Sequence, residues 1–194
     1  MDTKEAEQFW NHSKKIYEPL TATFLFLQDR FGLDVNLLLL CFWLGKHRWF
    51  LTDREFFVLI QKVMPCRDHL IGPLRQARRF AKKNDDILNS KNLAPKILLI
   101  ELEAEGLEQV ILIDALSKFC NKHSDDTHNE AELTALNMKS YLKAASLSMN
   151  QEIESAFEIL IDTTFVKELY RCQIRMPLDP ERKLKVKNMV RVKL

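Results

Sequence analysis

Along most of this chain apolar residues recur at the three- and four-residue spacing that lines one face of an α-helix, separated by short polar joints. The first such pattern predicts a helix from about Thr3 to Tyr17, closed near Pro19. A second runs through Leu20, Phe24, Leu27 and Gln28 and ends at Gly32, a residue suited to the left-handed position just past a helix end. Asp34 then reads as the N-cap of a third helix, Val35 to about Gly45. Its run from Leu37 to Leu44 is apolar on all sides, which predicts a place at the centre of a bundle.

Thr52 and Glu55 have the spacing of a capping box and open a fourth helix that reaches Pro65. Leu70, Leu74, Ala77 and Ala81 trace the stripe of a fifth, with a break or restart at Gly72 and Pro73. The polar stretch from Lys82 to Asn92 reads as a linker. Pro95 fits the first turn of a sixth helix extending to about Asn121, with a bend near Gly106. A polar loop from Lys122 to Asn129 precedes two further helices, about Glu130 to Leu147 and Gln151 to Tyr170. The expectation is an all-α bundle of about seven or eight helices around the central apolar helix 35–45, forming a single helical domain over residues 1–172.

The last segment, 173–194, departs from this pattern. From Lys183 to Leu194 the apolar positions alternate, which is the period of a strand. Three readings stay open: an arm that adds to a partner's sheet, an extended segment lying on the bundle, and a loose basic terminus. Charge sharpens the contrast: the whole chain carries +2, yet the residues from Arg175 onward carry +5 and the remainder −3. A net charge this small forces neither a nucleic-acid nor a membrane reading. The polar, acidic start is unlike a signal peptide, and the longest apolar run is eight residues, far short of the roughly 20 that span a bilayer. With Cys41, Cys66, Cys120 and Cys172 widely spaced, free thiols and a cytoplasmic setting are expected.

Candidate chemistry is sparse. The sequence holds no phosphate-binding glycine loop, no nucleophile elbow and no zinc-protease motif. Neither His12, His47, His69, His123 nor His128 stands three residues after a glutamate, as di-iron bundles require, so neither a metal site nor a cofactor is expected. His123 and His128 with Asp125 and Asp126, and the doublet Asp85 and Asp86, read as loop residues. The clearest cluster is Arg75, Arg78, Arg79, Lys82 and Lys83, which spans about 140° of a helix surface. Such a face suits phosphates or an acidic partner, or pairs internally. Glu101, Glu105 and Glu108 form a matching stripe on the sixth helix, and antiparallel packing of the fifth and sixth helices sets the two against each other as an ion-pair seam. Asp29, Asn36 and Trp43 are candidate buried polar or pocket residues. Asn36 is expected to bridge to Asp29 or to backbone, and the Trp43 indole to require an acceptor.

In chain order, several groups resemble one known family: Phe9 with Trp10, Tyr17 to Pro19, Leu27 to Asp29, Gly32 with Asp34 to Trp43, Pro73 to Arg79, and Glu101 to Glu105. Over about residues 9–115 the chain resembles the bacterial family termed domain of unknown function 2390, found mostly in gammaproteobacteria. That resemblance implies a small cytoplasmic helical protein without an assigned activity and brings no catalytic residues with it. The leading expectation is a non-enzymatic interaction module whose basic face or tail binds an acidic partner, a protein more than a nucleic acid. The alternative is a helical bundle that binds a small apolar or lipid-like ligand beside Leu37 to Leu44, Trp43 and Trp49. A third class, an enzyme using Glu101, Glu105, Asp29 or His69, needs those groups to meet in one cleft.

Overall fold

The computed structural model describes residues 3–84, 92–119, 123–124 and 127–173, with side chains placed for 4–84, 92–119 and 127–165. Seven α-helices lie among the described residues: α1 (Thr3–Phe31), α2 (Val35–Lys46), α3 (Asp53–Cys66), α4 (Gly72–Lys83), α5 (Leu93–Ser117), α6 (Glu130–Ala144) and α7 (Gln151–Gln173). The protein is an all-α bundle. The alternating tail and the doublet Asp85 and Asp86 fall outside the described residues.

The central helix is where its composition puts it. All ten residues from Asn36 to Gly45 are buried, and α2 packs against α1 on one side and α6 on the other. Asp34 caps it, accepting a hydrogen bond from the Leu37 amide at 3.1 Å. At Gly45 the helices nearly touch. A Cβ there would lie 2.8 Å from the Glu130 carbonyl oxygen on α6, so only glycine allows this approach. Around α2 the core gathers Phe9, Phe24 and Leu27 from α1, Phe56 and Leu59 from α3, Leu112 and Leu116 from α5, Tyr141 from α6 and Leu160 from α7.

One expected break is absent. The first two predicted helices are one, with Pro19 inside α1. Proline in a helix interior costs about 3 kcal/mol. The apolar stripe Ile16, Leu20, Phe24 and Leu27, buried on both sides of it, offsets that cost. Thr21 also donates its hydroxyl to the Tyr17 carbonyl at 3.0 Å, close to the position the ring disturbs. At Gly72 and Pro73 the expected restart is in place: α4 begins at Gly72 with Pro73 in its first turn, joined to α3 by a π-helical turn (Arg67–Ile71). The extra residue of a π turn rotates the following helix relative to the preceding one, and such turns concentrate at functional sites.

Other boundaries differ modestly. Helix α5 runs unbroken through Gly106 but ends at Ser117, four residues early, and α6 stops at Ala144. Within the predicted loop 122–129, His123 and Ser124 form a short antiparallel pairing with Trp49 and Phe50. The expected features at helix ends are in place. Gly32 has φ +69° and closes α1, and Thr52 exchanges both hydrogen bonds of a capping box with Glu55. Among the described residues, no helix is long and apolar enough to cross a membrane.

Candidate functional site

A cavity of about 850 Å³ opens between α1, α2, α4 and α5. Its apolar wall includes Trp10, Tyr17 and Leu25 from α1, Val35 and Leu39 from α2, and Leu98 and Leu102 from α5; the π turn contributes Arg67 and Ile71. Asp29, Asn36, Arg75, Arg78, Arg79, Lys82, Glu101, Glu105 and Glu108 all border it. Lys83 and Trp43 do not. A second hollow, about 480 Å³ and shallow, lies between α1 and α7 around Ala22, Phe26 and Ile159. None of the buried unpartnered polar atoms belongs to its lining residues.

Along one side of the cavity, α4 and α5 run antiparallel and their charges interlock. Arg75 donates from Nε to Glu101 at 3.0 Å and from Nη2 to Glu105 at 3.0 Å. One turn on, Arg78 donates to both oxygens of Glu101, at 2.5 and 3.2 Å. The Glu101 side chain is 4% exposed. Burial works to raise its pKa, but the hydrogen bonds from Arg78 and Arg75 prevail and hold it below the usual carboxylate range. Burial dominates at Glu105 and raises its pKa against the pull of Arg75. Arg79 reaches across to Asp29 on α1 at 2.8 Å, both groups being more than half exposed. Lys14 lies over the Trp10 ring, 5.8 Å from its centroid.

The floor has different chemistry. Asn36 does not bridge to Asp29 but does reach backbone, its Nδ2 donating to the Glu105 carbonyl at 3.5 Å as well as to Glu108 Oε2 at 2.6 Å, and its Oδ1 accepts from Gln109 Nε2 at 2.8 Å. Glu108 therefore lies off the arginine network. Burial, then the neighbouring Asp34 charge, pushes its pKa up to about 9, with an Asn36 hydrogen bond opposing. At neutral pH Glu108 is therefore a carboxylic acid. Asp34 is itself held by its backbone amide, which donates to the Tyr141 hydroxyl at 2.7 Å.

Three residues bordering the cavity bear buried polar atoms without a partner among the described residues: Ser13 Oγ, Glu108 Oε1 and Gln109 Oε1. As a carboxylic acid, Glu108 has a proton to place on that oxygen. The other two remain unsatisfied, a condition that costs about 1–3 kcal/mol for each buried group.

Trp43 lies in the core instead, 2% exposed, with ring centroids 5.6 Å from Phe9, 5.6 Å from His12 and 4.0 Å from His47. Its indole nitrogen has no acceptor among the described residues, and the buried His12 Nε2 beside it also lacks a partner. Burial, helped by Lys46, lowers the His12 pKa to about 4, so that ring is neutral. Trp43 is thus packed among side chains, and of the run Leu37 to Leu44 only Leu39 lines the cavity. His69 does not border it. Among the described residues, no cluster of three or more His, Cys, Asp or Glu is arranged to hold a metal.

Asp34, read from the sequence as an N-cap alone, turns out to be half of the carboxyl pair. Gln109 has a signal in retrospect: it stands four residues after Glu105, on the stripe of Glu101 and Glu105. Ser13, Arg67 and Tyr141 have none, because only the packing of distant segments brings them here.

The family model of the DUF2390 proteins of unknown function matches residues 8–112, more than half of the chain. No curated protein and no solved structure matches. Every residue that borders the cavity falls inside the matched segment, while α6 and α7 lie outside it. The chain belongs to the DUF2390 family of proteins of unknown function.

Proposed function

We propose that this protein binds a small amphipathic molecule in the cavity between α1, α2, α4 and α5, acting as a binding protein without chemistry of its own. The observation that carries this reading is the conjunction at one place of an apolar wall, a hydrogen-bonding floor with buried unpartnered oxygens, and a volume of about 850 Å³. Ligand cavities fall in the range of about 300–1,000 Å³ and combine a mostly apolar lining with a few fixed polar groups. The π turn at Arg67–Ile71 supports the same place. Binding of an acidic partner to the Arg75–Lys83 face is the weaker reading, since Arg75, Arg78 and Arg79 already hold carboxylates within the chain.

The test is thermal unfolding with three eight-carbon probes, n-octylamine, n-octanol and octanoate, each raised to millimolar concentration. At a hundredfold excess over Kd, binding adds about 2.7 kcal/mol, a rise of several degrees in a domain of this size. Leu102→Trp places a large ring at the mouth, where Leu102 is 40% exposed, and is expected to abolish the rise while leaving the unliganded melting point nearly unchanged. A melting point indifferent to all three probes overturns the reading.

A further inference from the structure

The cavity has two polar regions, and they differ in what they leave unsatisfied. On the α4–α5 side the guanidinium groups of Arg75 and Arg78 meet Glu101 and Glu105, and Arg79 meets Asp29, so charge is balanced pair by pair. On the floor two carboxyl groups, Asp34 and Glu108, are neighbours with no basic side chain among their hydrogen-bond partners, and burial with the Asp34 charge keeps a proton on Glu108. The floor's amide nitrogens are already donating, Asn36 to Glu108 and Gln109 to Asn36. Its unpartnered atoms include Gln109 Oε1, an acceptor on a residue 1% exposed, and Ser13 Oγ, a hydroxyl that can accept or donate, on a residue 2% exposed.

We infer that the floor formed by Asp34, Glu108, Gln109 and Ser13 receives the ammonium group of a primary amine, whose apolar body lies along Leu39, Leu98 and Leu102. This rests on the binding role proposed above and names the ligand class. An ammonium carries three N–H donors and one positive charge. It replaces the Glu108 proton as the positive partner of the two carboxyl groups and supplies donors to the two unsatisfied oxygens. A carboxylate in the same position would face two carboxyl groups and the Gln109 carbonyl oxygen, with only the Ser13 hydroxyl free to donate, and an alcohol would supply one donor and no charge.

The exchange is balanced: the amine arrives protonated, and the proton held by Glu108 leaves to solvent. Below about pH 9, where Glu108 holds its proton in the free protein, binding therefore releases one proton, and affinity rises about tenfold per pH unit. Other charged or titratable groups face this floor from every neighbouring element: Glu105 on α5, Cys66 and Arg67 at the α3–π junction, Tyr141 on α6, Arg75 on α4, and Lys14 and Tyr17 on α1. Substitution separates Glu108 from them.

The test is titration calorimetry of the full chain with n-octylamine at pH 7.5, in phosphate and in Tris, whose different ionisation heats count the protons released. One proton is expected, with affinity rising about tenfold per unit between pH 6.5 and 8.5. Glu108→Gln, an isostere of the neutral acid, is expected to keep amine binding through Asp34 and to lose both the proton release and the pH slope. Asp34→Asn with Glu108→Gln retains a competent N-cap and is expected to lose at least tenfold in octylamine affinity while n-octanol binding stays. Octanoate or n-octanol binding as tightly as octylamine, or octylamine binding without proton release, overturns this inference and leaves the cavity's binding role standing. Failure of all three probes removes both.

Discussion

Helices α2 and α5 are both rich in leucine, yet they treat their apolar residues in opposite ways. Helix α2 buries ten consecutive residues. In the first half of α5 the usual pattern is reversed. Glu101 and Glu108 are 3% and 2% exposed, whereas Leu99, Ile100 and Leu107 are 62%, 50% and 47% exposed. The second half returns to normal, burying Leu112, Ile113 and Leu116. Composition alone decides where α2 goes, because a helix apolar on every side is stable only inside. The first half of α5 is decided by its neighbours: arginines on α4 and amides on α2 supply partners for acids that water would otherwise hold. A carboxylate facing inward beside a leucine facing outward marks the segment where the bundle gives up packing for a polar cavity.

The contrast is broken most severely at α2. Leu40 is fully buried, and Leu40→Ala is expected to lower stability by about 2–5 kcal/mol through lost burial and a residual void, read as a fall in the urea midpoint at constant slope. A loss below 1 kcal/mol would mean that α2 is not the packed centre described here.

Glu101 comes next. Glu101→Ala strips Arg75 and Arg78, each about a quarter exposed, of a shared partner. Glu105 still holds Arg75, and partial hydration softens the loss, so about 1–3 kcal/mol is expected. Arg79→Ala, at the exposed end of the same network, is expected to cost at most about 1 kcal/mol. Equal losses in urea titrations would erase the distinction between the inner and outer pairs.

At Glu108 the expected sign is reversed. Its pKa stands at about 9 in the folded chain against an ordinary 4.5, so its stabilising contribution is full below pH 4.5 and is lost as pH rises towards 9. One proton is released on unfolding in that window, a slope of at most about 1.4 kcal/mol per pH unit. His12, lowered to about 4 from 6.5, works oppositely, losing its contribution as pH falls from 6.5 through 4. Above pH 7 only the Glu108 slope remains of the two. The E108Q protein is therefore expected to be more stable than the parent at pH 8 and nearly flat from pH 7 to 8.5, as measured by urea unfolding across that range.

Periodicity and caps made most of the fold legible: α2, the Thr52 capping box, the Gly32 terminus and the antiparallel α4–α5 pair all follow from short-range pattern. Pro19 misled because local helix propensity was outweighed by an apolar stripe continuous across it, whereas Gly72 and Pro73 marked a helix start correctly. For the site, the arginine and glutamate stripes could be read as complementary, since each lies on one helix. Which glutamate meets arginine and which meets Asp34 could not, because that depends on how α2 and α5 cross. Trp43 drew attention as a polar group in an apolar run, but its length and shape place it against Phe9 and His47, away from the cavity.

The smallest effect is expected on the outer face of α5. Leu99→Ser removes a large apolar side chain from a helix, a change that inside a core would rank with Leu40→Ala. At 62% exposure, however, Leu99 is already mostly in water, so the lost burial is small and serine's lower helix propensity adds only a few tenths of a kcal/mol. A change within about 0.5 kcal/mol is expected from urea unfolding of the full chain. The same measurement has a second use. A loss well above 1 kcal/mol would mean that another part of the chain, or a second copy, covers Leu99, Ile100 and Leu107, and repeating it at several protein concentrations separates the two, since only a second copy makes the midpoint depend on concentration. A value near zero would leave the inverted half of α5 as described: acids turned inward to the cavity, leucines to water.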